Sequence, residues 1–225
     1  MKKSNIWTKK KLAELFSAIR IWNDALTYSP IIDLMAAGGD TPWQILVSTM
    51  LSARTKDEVT ASASRRLFAL AITPEETAKL SIAQLEKAIF PVGFYHTKAK
   101  NLAKLSQIVV NDYHSEVPDT VEELIKLPGI GVKTASLVVI KAFNKLDICV
   151  DTHVHRISNM WGFVETKQPE ETRNALKQAI PEEYWKDINQ YLVTLGQLIC
   201  RPMKHECENC PVKTLCSQAF KPVKR

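Results

Sequence analysis

The sequence predicts an all-α protein, and three observations carry that expectation. Helix-start signals recur along the 225 residues, strands of alternating polarity are missing, and apolar residues repeat at helical spacing. Hydrophobic residues make up 45% of the chain, an ordinary share for a globular protein. The length suffices for one large domain or two small ones, each with a core. No apolar run is long enough to cross a membrane. The charged start, Met1-Lys2-Lys3, is followed by no apolar stretch before Leu12, and Glu14 soon interrupts, so no secretory signal is expected.

The elements follow in chain order. Thr41-Pro42 opens a helix that runs through Trp43, Ile45, Leu46, Met50 and Leu51. Proline is pre-shaped for the first helical position, and a threonine before it can cap. Pro-Glu-Glu occurs at Pro74, Pro169 and Pro181, each marking a helix start with acids in its first turn. Thr73 with Glu76, and Thr120 with Glu123, have the spacing of a capping box. From Thr120 the chain reads helix, tight turn, helix. Val121 to Leu127 forms the first helix, Pro128-Gly129-Ile130-Gly131 breaks it, and a second helix begins at Val132. Ala135, Val138, Val139 and Ala142 give that second helix an apolar face. Val154, Ile157 and Trp161 do the same for a short helix that Asp151 would cap.

Several of these residues can carry chemistry. Gly129 and Gly131 allow a sharp turn and leave backbone N–H groups unobstructed at a helix start, where a phosphate is favoured. Ile130 would pin the turn to the core. Lys133 falls in the first turn of the second helix, and a partly desolvated lysine is the usual amine for Schiff-base chemistry. Each of these also has a plain structural reading: a turn between packed helices, a surface lysine, a capping aspartate. His153 and His155 pack or contact phosphate, since no third metal ligand lies nearby in sequence. A net charge of +6 and a pI near 9.0 suit a polyanionic partner, although charge alone does not identify one.

Five cysteines are present, at 149, 200, 207, 210 and 216. Their odd number and the crowding of four into seventeen residues argue for a metal site in a reducing compartment rather than a disulfide framework. Cys200, Cys207, Cys210 and Cys216 have the spacing C-x6-C-x2-C-x5-C. Such a set can hold a [4Fe–4S] cluster or a tetrahedral zinc, and spacing alone leaves both open. Lys204 and His205 lie within the first loop, which could press on DNA phosphates. Cys149 reads as a buried apolar filler.

Taken together, five stretches resemble the endonuclease III family of the helix-hairpin-helix DNA glycosylase superfamily. They are Met50 to Asp57, Pro91 to Tyr95, Leu127 to Ala135, Val150 to Arg156, and the four cysteines. The resemblance implies two helical lobes with a DNA cleft between them. Residues 35–145 would form a six-helix barrel holding the hairpin (about 121–143). Residues 1–34 and 146–225 would form an iron–sulfur lobe with its cluster loop at 200–216. It further implies a [4Fe–4S] cluster on the four cysteines, Lys133 as nucleophile and Asp151 as catalytic carboxylate. Arg54 would fill the hole left by a flipped base, and Phe94 would be the wedge. Arg54 departs from the glutamine common at that position, which leaves opposite-base preference open. The hairpin Gly129 and Gly131, His153 and Lys204 complete the expected DNA contacts. The implied activity is a bifunctional DNA glycosylase and abasic-site lyase that removes oxidised pyrimidines. Its substrate would be double-stranded DNA with damaged bases or abasic sites, its state monomeric, and no membrane would be involved. Location would be the bacterial cytoplasm, on the nucleoid, or the eukaryotic nucleus or mitochondrion. The alternatives are a monofunctional glycosylase, a non-catalytic hairpin module, and a zinc-structured helical protein.

Overall fold

The computed structural model describes residues 7–26 and 31–216, the side chains of 33 and 34 excepted. The basic tail expected to fray, with Lys221, Lys224 and Arg225, lies outside the described residues. Among those described, the chain forms twelve α-helices and two short 3-10 turns, with no strand beyond an isolated bridge between Cys200 and His205. The all-α expectation holds. None of the described helices is long and apolar enough to cross a membrane. The chain divides into two units, residues 29–147 and a discontinuous unit of 1–28 with 148–225.

The 29–147 unit carries α2 (Ile31–Ala37), α3 (Pro42–Ser52), α4 (Asp57–Leu70), α5 (Pro74–Ala78), α6 (Ile82–Ile89), α7 (Tyr95–Asp112), α8 (Val121–Leu124) and α9 (Val132–Phe143). Every residue of α3 from Trp43 to Leu51 is buried. A helix buried on every side belongs at the centre of its unit, and α3 packs against both α4 and α9. Thr41 starts it with a full capping box: its hydroxyl accepts the Gln44 N–H at 3.3 Å, and Gln44 Oε1 accepts the Thr41 N–H at 2.9 Å. Ala135, Val138 and Val139 of α9 join Leu46, Leu67, Leu85, Leu102 and Leu105 in one core. Thr73 and Glu76 form the capping box expected of them.

The Thr120 start departs from its expected form. Thr120 Oγ1 accepts the Glu123 N–H, but the Glu123 carboxylate does not turn back to complete the box. It accepts the Tyr113 hydroxyl at 2.9 Å and the Lys126 ammonium at 2.5 Å instead. The helix is also shorter than expected. It stops at Leu124, and Ile125 to Leu127 continue as turns.

The second unit joins α1 (Lys9–Asp24) to α10 (Thr152–Trp161), α11 (Pro169–Ala179), α12 (Trp185–Leu198) and the cysteine loop. Leu12, Leu15, Phe16 and Ile19 of α1 share a core with Val154, Ile157 and Trp161 of α10 and Ile188, Leu192 and Leu195 of α12. Phe16 stacks on Tyr184 with ring centroids 4.1 Å apart. Pro169 opens α11 as expected. Pro181 precedes only the short 3-10 turn Glu182–Tyr184, after which α12 begins at Trp185.

Candidate active site and cysteine cluster

Gly129 sits at φ +80°, a left-handed conformation that favours glycine. A Cβ there would also lie 2.7 Å from Asn101 Nδ2 of α7. Conformation and space therefore both select glycine. Ile130 between the two glycines is buried. Gly131 differs from its neighbour. Its φ is −96°, and a Cβ would meet nothing within 4 Å. It is the N-cap of α9, and as glycine it supplies no side chain to the first-turn N–H groups. Lys133 stands in that first turn and is exposed.

Asp151 belongs to the other unit. Its Oδ1 accepts the N–H groups of His153 and Val154, both at 2.9 Å, which makes it the N-cap of α10. Among the described residues its Oδ2 takes part in no hydrogen bond. The side chain is thus held by one oxygen while the other stays uncommitted. His153 lies against α12 at Gly196, where any side chain would collide with its ring. His155 packs within its own unit. Its Nδ1 bonds Thr172 Oγ1 at 2.6 Å, and Thr172 meets Thr166 at 2.5 Å, in a network that ties α10 to α11.

Arg54 and Phe94, forty residues apart, come together. Both are left-handed, at φ +55° and +58°, and the Arg54 guanidinium lies 5.5 Å from the centroid of the Phe94 ring. Phe94 is 63% exposed. Lys98, one turn further along α7, is only 8% exposed. Its Nζ donates to Leu51 O at 2.8 Å, Ala53 O at 2.6 Å and Thr55 Oγ1 at 3.3 Å. Burial pushes this amine down to about 8.

The four clustered cysteines are free thiols that line one apolar cavity with Met160, Trp161 and Leu195. Among the described residues no three His, Cys, Asp or Glu side chains form a group able to hold a single metal ion. Burial pushes the Cys200 thiol up and the Cys210 thiol up to about 11. Arg156 of α10 donates to Cys200 Sγ at 3.7 Å and to the Cys200 carbonyl. Lys204 is exposed on the intervening loop, as is Met203 beside it. Cys149 is fully buried.

Comparison with known proteins gives this geometry a family. Residues 47–182 match the model of the HhH-GPD superfamily of base excision DNA repair proteins. Endonuclease III of Thermotoga maritima is 47% identical over 175 residues, which are 78% of this chain and 82% of that protein. The chain belongs to the endonuclease III family. The chloroplastic endonuclease III homolog 2 of Arabidopsis thaliana is 43% identical over 79% of this chain and 48% of its own longer length. A trapped endonuclease III–DNA covalent intermediate superposes with a TM-score of 0.80 at 31% identity, covering 96% of this chain and 98% of that one. The sequence gives Lys98 no role, and Arg156 only a place at the end of a family-like stretch; tertiary packing brings them to the Arg54 loop and to Cys200.

Proposed function

We propose that this base-excision DNA repair glycosylase is bifunctional, removing a damaged base and then nicking the strand through Lys133. The observation that carries this reading is the exposed Lys133 amine in the first turn of α9, directly after the Gly129–Gly131 turn. A covalent DNA intermediate needs a nucleophile on the protein, and an endonuclease III has been trapped as one. The uncapped N–H groups of α9 suit a DNA phosphate, which would set the register of the duplex without reading its sequence.

Departure of the base leaves cationic character on the sugar. Asp151 supplies a carboxylate fixed by Oδ1, with Oδ2 available to stabilise that charge and to accept a proton from the attacking amine. Lys133 Nζ bonds to C1′ as the bond from C1′ to the base breaks. The sugar ring opens to a Schiff base, and β-elimination then expels the phosphate on the 3′ side of the lesion. Reaching C1′ requires a flipped nucleotide. Arg54 and Phe94 are the side chains that would enter the stack, where an arginine can donate hydrogen bonds and an aromatic wedge can intercalate. Oxidised pyrimidines in double-stranded DNA are the proposed substrate. The enzyme would act as a monomer, wherever its host keeps DNA: on the bacterial nucleoid, or in the nucleus or a mitochondrion.

The cysteine loop fits a [4Fe–4S] cluster. Four free thiols within one seventeen-residue stretch open onto a single apolar cavity, the donor set such a cluster requires. The cluster would supply structure rather than reaction chemistry, shaping the loop that presents Lys204. Iron, sulfide and a yellow-brown colour in the purified protein would support it, whereas stoichiometric zinc in a colourless protein would rule it out.

Borohydride trapping on a duplex with an abasic site tests the nucleophile. Wild type should give a covalent adduct and Lys133→Ala none. No adduct in wild type, or an undiminished one in Lys133→Ala, would overturn the lyase reading in favour of a monofunctional enzyme.

A further inference from the structure

Phe94 and Lys98 flank the first turn of α7, where the Lys98 N–H donates to Phe94 O at 3.0 Å. One is exposed and the other buried. A buried lysine is rare unless its charge is matched. Lys98 places three protons on three oxygens at the C-terminal end of α3: Leu51 O, Ala53 O and Thr55 Oγ1. The last carbonyls of a helix have no partner within it, and a cation is favoured there. Arg54 lies between these acceptors at φ +55°. A left-handed arginine costs about 1 kcal/mol and persists only where its surroundings over-determine it.

The second loop closes on the same point. Gly93 N donates to Thr55 Oγ1 at 3.1 Å, and a Cβ on Gly93 would lie 2.5 Å from Arg54 O. Thr55 Oγ1 therefore accepts from both Gly93 and Lys98. Two left-handed residues distant in sequence are held side by side through one ammonium and one hydroxyl.

We infer that Lys98 is the positioning residue of the DNA-reading edge, fixing Arg54 and Phe94 as a single unit so that they enter the duplex together. This rests on the proposal above that those two side chains enter the stack. Lys98 touches no substrate in this scheme and acts only through the two loops.

A double-mutant cycle on the full-length protein tests it. The readout is the ratio of Kd values for an undamaged duplex and the same duplex carrying a stable abasic-site analogue. Lys98→Met should lower that preference by about tenfold, the scale of coupling between contacting groups. In an Arg54→Ala/Phe94→Ala background the same substitution should change the ratio less than about twofold. A general loosening of the fold would give equal losses in both backgrounds, and that result, or no loss in either, overturns the inference. Should Lys98→Met fail to fold, Thr55→Val removes only the shared hydroxyl and must show the same non-additivity. Wild-type trapping is run alongside. A missing adduct would sink the lyase reading, while the binding cycle decides the role of Lys98 by itself.

Discussion

One carboxylate oxygen of Asp151 accepts two backbone N–H groups at the start of α10. Asparagine caps a helix about as well as aspartate, whereas alanine in place of a cap costs about 1 kcal/mol. Asp151→Asn should therefore keep its thermal midpoint and its DNA affinity yet lose most turnover, while Asp151→Ala should lose stability as well. Equal losses of melting temperature in the two variants, with turnover retained in Asp151→Asn, would leave Asp151 a cap and nothing more. Lys98 gives a second test at this scale. Burial lowers its amine from 10.5 to about 8, so between those values the unfolded chain binds more protons than the folded one. The Lys98 contribution therefore makes the fold relatively more stable as pH rises from about 8 to 10.5, and it is constant below 8, where both states are protonated. Denaturant titrations of wild type and Lys98→Met across that range should diverge in slope only above about pH 8. Parallel curves would show that the buried amine titrates as an exposed one.

At the level of elements, the hairpin turn separates its two glycines. Gly129→Ala meets both a left-handed φ and the Asn101 side chain, and should cost about 1–2 kcal/mol. Gly131→Ala meets neither, so the fold should tolerate it, and any loss of DNA affinity would come from crowding the N–H groups of α9. Chemical denaturation and duplex binding measured on both variants separate the two effects. Loss of stability in Gly131→Ala would contradict the open space beside it. What the sequence made legible at this scale was local. Thr41, Thr73, Pro169 and Asp151 act on neighbours within a few residues, and the left-handed turn at Gly129 is likewise local, so the nearby chain already specifies their roles. Glu123 misled because its carboxylate is drawn to Tyr113, ten residues away, and Lys98 was invisible because its acceptors lie more than forty residues upstream. The pairing of Arg54 with Phe94 likewise depends on two loops meeting, which no spacing rule encodes.

For the whole molecule, the division into two units bounds the expected reach of the cysteine loop, which we propose stabilises its own unit. Cys200 and Val212 belong to the core that Trp161, Ile188 and Leu195 share with α1. The core of the 29–147 unit is built from its own helices, α3 to α9, and contains none of the cysteines. If the four thiols hold a cluster that shapes residues 200–216, Cys210→Ser removes one ligand and the loop loses its anchor. Amide hydrogen exchange on the full chain should then show protection falling in α12 and α10 while α3 and α9 keep theirs, since local opening follows the cooperative unit to which a contact belongs. Uniform loss in both units would mean that the cysteines govern a single cooperative fold. Unchanged protection everywhere would mean that the loop owes its shape to backbone packing, such as the Cys200–His205 bridge, and to no bound metal group.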